Sequence, residues 1–264
     1  LKRFYKPGIV LFLYLTAQSL FAETGPWFPH NVSAEGERID KLVIFSFWVT
    51  GFFFALVVIA LIYFTFRYRE RPGSKAYYTH GTGKIERIIT FLLAMSVFGV
   101  IDMNVIHRSN EDFEFLMGKN LDRSKALRVE VQARQFEWRV RYSADNKTFG
   151  TAKDITSLNQ LHLPVDRPIF VQLTSNDVVH SFYLPNFRVR QDVLPGLVNQ
   201  VAFMGKEKGQ YTLACSELCG LGHYRMKGYV TVEDEADFEK FLADAAKTTD
   251  TDPANNWGWA WEER

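Results

Sequence analysis

At 264 residues with 47% hydrophobic side chains, the chain has room for one large or two small domains, each with a core of its own. Its 31 lysines and arginines nearly balance 30 aspartates and glutamates, and a net charge of +1 gives no footing for a nucleic-acid partner. Two cysteines exclude a disulfide framework, and without a Cys-x-x-Cys-His run there is no attachment for a c-type haem.

Residues 1–25 have signal-like anatomy: basic Lys2, Arg3 and Lys6, an apolar stretch from Ile9 to Leu15, and a small-residue end from Ala17 to Ala22. Leu20 is large for the position three before a cleavage site, so this segment is expected to be retained as a helix at the membrane. Residues 38–107 read as a transmembrane hairpin. Its first span, 42–66, carries no charge and as a helix is about 38 Å long, enough to cross a bilayer with tilt. Its second span, 88–106, holds Asp102 and Asn104 near the far end, so its last turn is expected at the interface. The loop 67–87 carries Arg67, Arg69, Arg71, Lys75, Lys84 and Arg87 against Glu70 and Glu86, which places it in the cytoplasm and the C-terminal part outside.

From 127 to 232 the pattern changes to short alternating runs between turn residues, such as Leu127–Val131, Phe136–Tyr142, Pro168–Leu173, Asn199–Phe203 and Gly228–Val232, the signature of an all-β sandwich or barrel. Residues 233–247 fit an amphipathic helix with Phe238, Phe241, Leu242 and Ala245 on one face. The tail 248–264 places Trp257, Trp259 and Trp261 on alternate positions, expected either to pack on a partner subunit or to cover its own domain.

Cys215, Cys219, His223 and Met226 share one twelve-residue stretch, so every thiol of the chain is in this loop. Thiolates, imidazole and thioether select soft or borderline metals, and redox copper is the first candidate. His180, from an earlier strand, completes the set in the way copper sites on β-sandwiches recruit ligands. A blue-copper site needs a single cysteine, so the second thiolate could bridge a second copper. Tetrahedral zinc on Cys215, Cys219, His223 and His180 is the alternative, with no use for Met226.

At this point the chain resembles subunit II of haem-copper cytochrome oxidases over roughly residues 38–245. The match is carried by Cys215-Ser-Glu-Leu-Cys219-Gly-x-x-His223-x-x-Met226, by Asp177-Val-Val-His180-Ser and by Asp192-Val-Leu-Pro195-Gly196-Leu-Val-Asn199-Gln200. The resemblance implies a membrane-anchored all-β protein: a two-helix transmembrane hairpin, a cupredoxin domain and a C-terminal helix. It makes Cys215 and Cys219 bridging thiolates of a binuclear copper centre, His180 and His223 terminal ligands, and Met226 and the Glu217 carbonyl weak ligands. The Glu217 carboxylate would reach a magnesium ion at the interface with subunit I, while haems and further copper belong to that partner. Glu86 matches a glutamate at the entrance of a proton path, or is an interfacial charge starting a helix. The implied function is to accept electrons from cytochrome c or a haem domain of a neighbouring respiratory complex and pass them to haem in subunit I, where oxygen becomes water and protons are translocated. The implied location is a bacterial cytoplasmic membrane, multi-pass, with other oxidase subunits and lipid around the hairpin and the copper domain periplasmic.

Two departures concern the donor. Where the family has a tryptophan at which electrons enter, this chain has Phe136, with Trp138 two residues on. Residues 128–232 carry 13 Lys and Arg against 9 Asp and Glu, including Arg134, Arg139 and Arg141 on that strand, whereas 233–264 carry 3 against 10. The expected donor is therefore less basic than a typical soluble cytochrome c, or held in place by a neighbouring complex. The second helix has Leu93 where the family often has a proline. Competing readings are the copper domain of nitrous oxide reductase, a quinol oxidase subunit, and a membrane-anchored copper carrier or assembly protein. The hairpin and the retained cysteines disfavour the first two.

Overall fold

The computed structural model describes residues 28–248 apart from 74, 76, 77, 79, 120–123, 144–148 and 152; the signal-like segment 1–25 and the tryptophan tail lie outside the described residues. The chain divides into two compact units. One comprises Arg38–Glu114, and the other joins the segment up to Glu37 with everything from Phe115 onward.

The first unit is built from α1 (Gly36–Arg67) and α2 (Lys84–Leu116), both long and apolar enough to cross a membrane and with none of their apolar windows buried inside the protein. Ser46 and Thr65 donate their hydroxyls to the Leu42 and Leu61 carbonyls, which satisfies the polar groups of α1 internally. Arg38 pairs with Glu111 at 3.1 Å and Asp112 at 3.0 Å, and the Arg108 guanidinium lies 5.8 Å from the Phe45 ring, so the hairpin is tied at one end. Both helices outrun the apolar spans 42–66 and 88–106, because a charge ends hydrophobicity without ending helicity. Asp102 and Asn104 are therefore inside α2 rather than at its last turn, beside a π-helical turn over Val97–Asp102.

The second unit is a sandwich of two five-stranded sheets. In chain order the strands are β1 (Leu127–Arg134), β2 (Glu137–Tyr142), β3 (Ile155–Leu158), β4 (Gln160–Pro164), β5 (Pro168–Ser175), β6 (His180–Leu184), β7 (Val189–Val193), β8 (Asn199–Met204), β9 (Gly209–Cys215) and β10 (Lys227–Glu233), followed by α3 (Glu235–Thr248). One sheet runs β3-β2-β1-β5-β8 and the other β4-β10-β9-β6-β7. The β1/β5 and β4/β10 pairs are parallel and the rest antiparallel, so the chain crosses between sheets and closes the fold from both sides. This is the expected all-β domain after two apolar helices.

Alternation predicts the core face correctly: Val129, Val131, Trp138, Val140, Leu161, Leu173, Phe182, Leu213 and Val230 are all buried. Tyr142 crosses between sheets, its hydroxyl donating to the His162 carbonyl at 3.1 Å and accepting the His162 N–H at 2.7 Å. Phe238 and Phe241 of α3 meet the Tyr142 ring edge-on, and Phe241 stacks on His162 at 3.7 Å. Before α1, the Ser33 hydroxyl accepts the Gly36 N–H, and Val32 lies in the core with its N–H given to the Asn186 carbonyl.

The strand β1 is buried on both faces, which its alternation alone does not say. Glu130, only 1% exposed, is paired through one oxygen with Arg141 of β2, while its other oxygen has no partner among the described residues. Burial pushes the Glu130 carboxyl up to about 7 against the pull of Arg141. A folded-state value raised above 4.5 stabilises the protein fully below that pH, and the contribution is lost as pH rises through about 7. Glu130→Gln is expected to flatten a decline of about 3 kcal/mol across that window. Urea unfolding of the metal-free chain from pH 4 to 8 reads it, and parallel curves for parent and variant would refute it.

Candidate metal centre

The sulfur ligands are placed by the end of β9, which delivers Cys215, and by the loop that returns to β10. His180 opens β6, the neighbouring strand, and the Phe182/Cys215 register of that pair brings the imidazole to the thiol. Backbone bonds hold the return loop: Ser216 N–H to the Ser181 carbonyl at 3.2 Å, His223 N–H to Gly220, and Met226 N–H to His223 at 3.1 Å each.

Cys215 Sγ lies 3.8 Å from Cys219 Sγ and 3.9 Å from His180 Nδ1, and its thiol donates to the Glu217 carbonyl at 3.2 Å. Cys219 Sγ lies 3.5 Å from His223 Nδ1 and 3.7 Å from Met226 Sδ. The ligand atoms of His180, Cys215 and Cys219 fall within 4.8 Å of one another. With thiolate and imidazole bonds near 2.3 and 2.0 Å, tetrahedral ligation puts two sulfurs about 3.8 Å apart and sulfur and nitrogen about 3.6 Å apart. The donor set fits a metal. The buried Met226 thioether beside Cys219 suits copper and is idle for zinc.

His180 is fully buried, with Nδ1 facing the sulfurs and Nε2 2.8 Å from Asp177 Oδ1. Asp177 thereby fixes the tautomer, an outer partner that orients the ligand. Burial would raise the Asp177 carboxyl, but the Gln135 N–H, His180 and the Val178 N–H hold it below the usual range. Burial would lower His180, and the bonds to Cys215 and Asp177 raise it instead. Burial would also raise the Cys215 thiol, yet His180, the Ser181 and Glu217 backbone and His223 bring it down to about 6. Cys219 is pushed up to about 12 by burial and by the charge on Cys215. One thiolate is thus ready near neutral pH, and metal must displace the second proton.

Phe136 and Trp138 part company. Expected at the start of a strand, Gln135 and Phe136 instead form the β1–β2 turn, because the Gln135 N–H is given to Asp177 at 2.7 Å rather than to a ladder. The Phe136 ring lies under the metal loop, where a Cβ at Gly222 would collide with it. Trp138 is fully buried, edge-on to His180 at 6.3 Å and to Phe182 at 5.8 Å, and its indole N–H has no partner among the described residues. Of the four arginines on this strand pair, Arg141 is buried against Glu130, while Arg134 and Arg139 share Glu137 at 2.9 and 2.8 Å, so the turn is less cationic than its sequence suggests. Leu218, Leu221 and Tyr224 of the loop are 78, 98 and 85% exposed, an apolar platform over the site. The Glu217 carboxylate is half-exposed, 3.7 Å from Arg190. Glu86 is in the first turn of α2 with its carboxylate folded back on Gly83, where it complements the helix dipole.

Sequence reasoning singled out the ligands but not Asp177 as their orienter, although an aspartate three residues before a ligand histidine is a usable signal. It missed Gln135 altogether, since nothing local marks a turn that reaches Cys219.

The family model described as cytochrome c oxidase subunit II, periplasmic domain, matches residues 130–233. The alternative cytochrome c oxidase subunit 2 of Bradyrhizobium diazoefficiens is 27% identical over 257 residues, covering 89% of this chain and 90% of that one. The heme-copper oxidase subunit 2 of Aeropyrum pernix is 34% identical over 202 residues, covering 72% of this chain and 79% of that one. Among solved structures, the periplasmic domain of subunit II of cytochrome oxidase from Bradyrhizobium japonicum matches with a TM-score of 0.42 at 27% identity, over 46% of this chain and 94% of that one.

Proposed function

We propose, since this chain belongs to the subunit II family of haem-copper cytochrome oxidases, that it is the electron-accepting subunit of a proton-translocating oxidase and holds a binuclear copper centre. One observation carries the reading: two thiols 3.8 Å apart, each with its own imidazole, Cys215 with His180 and Cys219 with His223. Two half-sites that share their sulfurs suit two metals better than one. Bound copper would supply one-electron chemistry there. Cys215, Cys219, His180 and His223 would hold it, with Met226 and the Glu217 carbonyl as weaker donors at either end. The bond from Asp177 holds His180 in place, and burial of Cys219, His180 and Met226 keeps water from the sulfurs.

Electrons arrive, in this reading, across the Leu218, Leu221 and Tyr224 platform and the Phe136 turn, with Trp138 as the inner wall of that region. They leave to haem in subunit I. The half-exposed Glu217 carboxylate would be the group of this chain that reaches an interface magnesium, a hard cation that takes oxygen ligands. Glu86 stands at the proton-path entrance. The two helices span a bacterial cytoplasmic membrane with the copper domain periplasmic. The relatives named above are oxidase subunits, which does not favour a copper carrier.

The donor is a haem protein less basic than a typical soluble cytochrome c, or one docked by a neighbouring complex. Arg225 and Lys227 are exposed at the end of the metal loop, and like-charge approach slows association. Stopped-flow reduction of the copper-loaded full chain tests both parts. We expect rapid reduction by an acidic or neutral haem protein and slow reduction by a strongly basic one. Fast reduction by the basic donor that falls steeply with salt overturns the donor assignment, and a chain that yields a single copper to a modest chelator without accepting electrons overturns the function.

A further inference from the structure

Gln135 stands on the β1–β2 turn, in the sheet that contributes no metal ligand, yet it touches both ligand-bearing segments of the other sheet. Its backbone N–H is given to Asp177 Oδ2 at 2.7 Å, and the other oxygen of Asp177 holds His180. Its side-chain Nε2 donates to the Cys219 carbonyl at 2.5 Å. That carbonyl belongs to the peptide leading into Gly220, whose φ of +131° only glycine adopts readily, and a Cβ there would sit 2.6 Å from the Gln135 amide. The loop after Cys219 is therefore shaped to admit this amide. Beside it, the Phe136 ring fills the space left by the missing side chain of Gly222.

We infer that Gln135 is a positioning residue of the metal centre: its amide fixes the peptide after Cys219 and its backbone fixes Asp177, so that one turn sets the spacing between the Cys215/His180 half and the Cys219/His223 half. A carbonyl left without this donor could rotate toward solvent, since Gln135 itself is exposed, and Cys219 Sγ would lose its orientation toward His223 and Met226. The residue touches no reacting atom, and its effect is on the affinity and potential of the site.

This inference rests on the copper reading above. Two variants of the full chain isolate the amide, because each retains the backbone bond to Asp177. Gln135→Met keeps length and loses the donor; Gln135→Lys keeps a donor. Three quantities are measured: the rate at which a chelator withdraws copper, the reduction potential of the copper-loaded site, and the thermal midpoint of the metal-free chain. We expect Gln135→Met to release copper about 10- to 100-fold faster with a shifted potential, Gln135→Lys to stay within about threefold of the parent, and the metal-free midpoint to be unchanged. Release and potential equal to the parent in Gln135→Met overturn the inference, as does a fall in the metal-free midpoint of that variant, which would mark a merely structural role. If the parent itself retains no copper, the site reading fails and takes this inference with it.

Discussion

Cys219→Ser will leave the β domain folded and abolish the shared-electron copper signal. Serine is close in volume to cysteine, and Cys219 makes its contacts with other ligand atoms, so the packing cost is small. The chemistry is not conserved. A serine hydroxyl does not ionise near neutral pH and is a hard donor, so only Cys215 remains to bind a soft metal. With one thiolate in place of two, the His223 and Met226 half of the site would lose its anionic donor and hold a second copper far more weakly. Electron paramagnetic resonance of the oxidised parent should show hyperfine splitting from an electron shared by two copper nuclei. The variant should show that of a single nucleus or none, with about half the copper or less. An oxidase carrying it should turn over at about a hundredth of the parent rate, a barrier raised by about 2.7 kcal/mol or more. Undiminished copper with an unchanged spectrum in Cys219→Ser would dispose of the bridging role, and zinc in the parent would dispose of the copper.

Trp138→Ala should cost about 3–5 kcal/mol in the metal-free chain, lowering its thermal midpoint by about 10–20 °C. The indole is fully buried between Phe182 and His180, and its removal opens a cavity that β2 cannot close while it is paired on both sides with β1 and β3. Its N–H has no partner among the described residues, so Trp138→Phe removes volume without breaking a hydrogen bond seen there and should cost much less, about 1–2 kcal/mol. The same wall steadies the His180 ring, so copper should leave Trp138→Ala faster than Trp138→Phe. Calorimetry of the metal-free chain settles the first part and chelator kinetics the second. If alanine lowers the midpoint no more than phenylalanine does, Trp138 is not the anchor its burial indicates.

These two residues also show how far local sequence reaches. The Cys215–Met226 loop is a single short segment, and its donor atoms identify soft-metal chemistry without any fold, because ligand preference belongs to the side chains themselves. The two apolar helices are legible for a similar reason, since runs of this length with no charge, or with Asp102 alone, have few other solvents available to them. Alternation predicts which face of β1 and β2 enters the core. It does not predict that Glu130 on the other face is also buried, because the covering contacts come from elsewhere in the chain. Arg141 counts as surface charge in the sequence and is a buried partner in the fold. Asp102 reads as the end of a span and is the interior of a helix.

What the sequence by itself determined is therefore chemistry and class: a soft-metal loop, two apolar helices, a β domain, and membership of a family through motifs that are contiguous in the chain. Tertiary structure alone decided the geometry: His180 next to Cys215 across a strand pair, Asp177 behind it, Phe136 beneath the metal loop and Gln135 between the two halves of the site. Asp177 stands only three positions before His180, but the other contacts join residues 35 to 86 positions apart. No local pattern encodes such distances; they follow from which strands pair, in which register, once the core is buried.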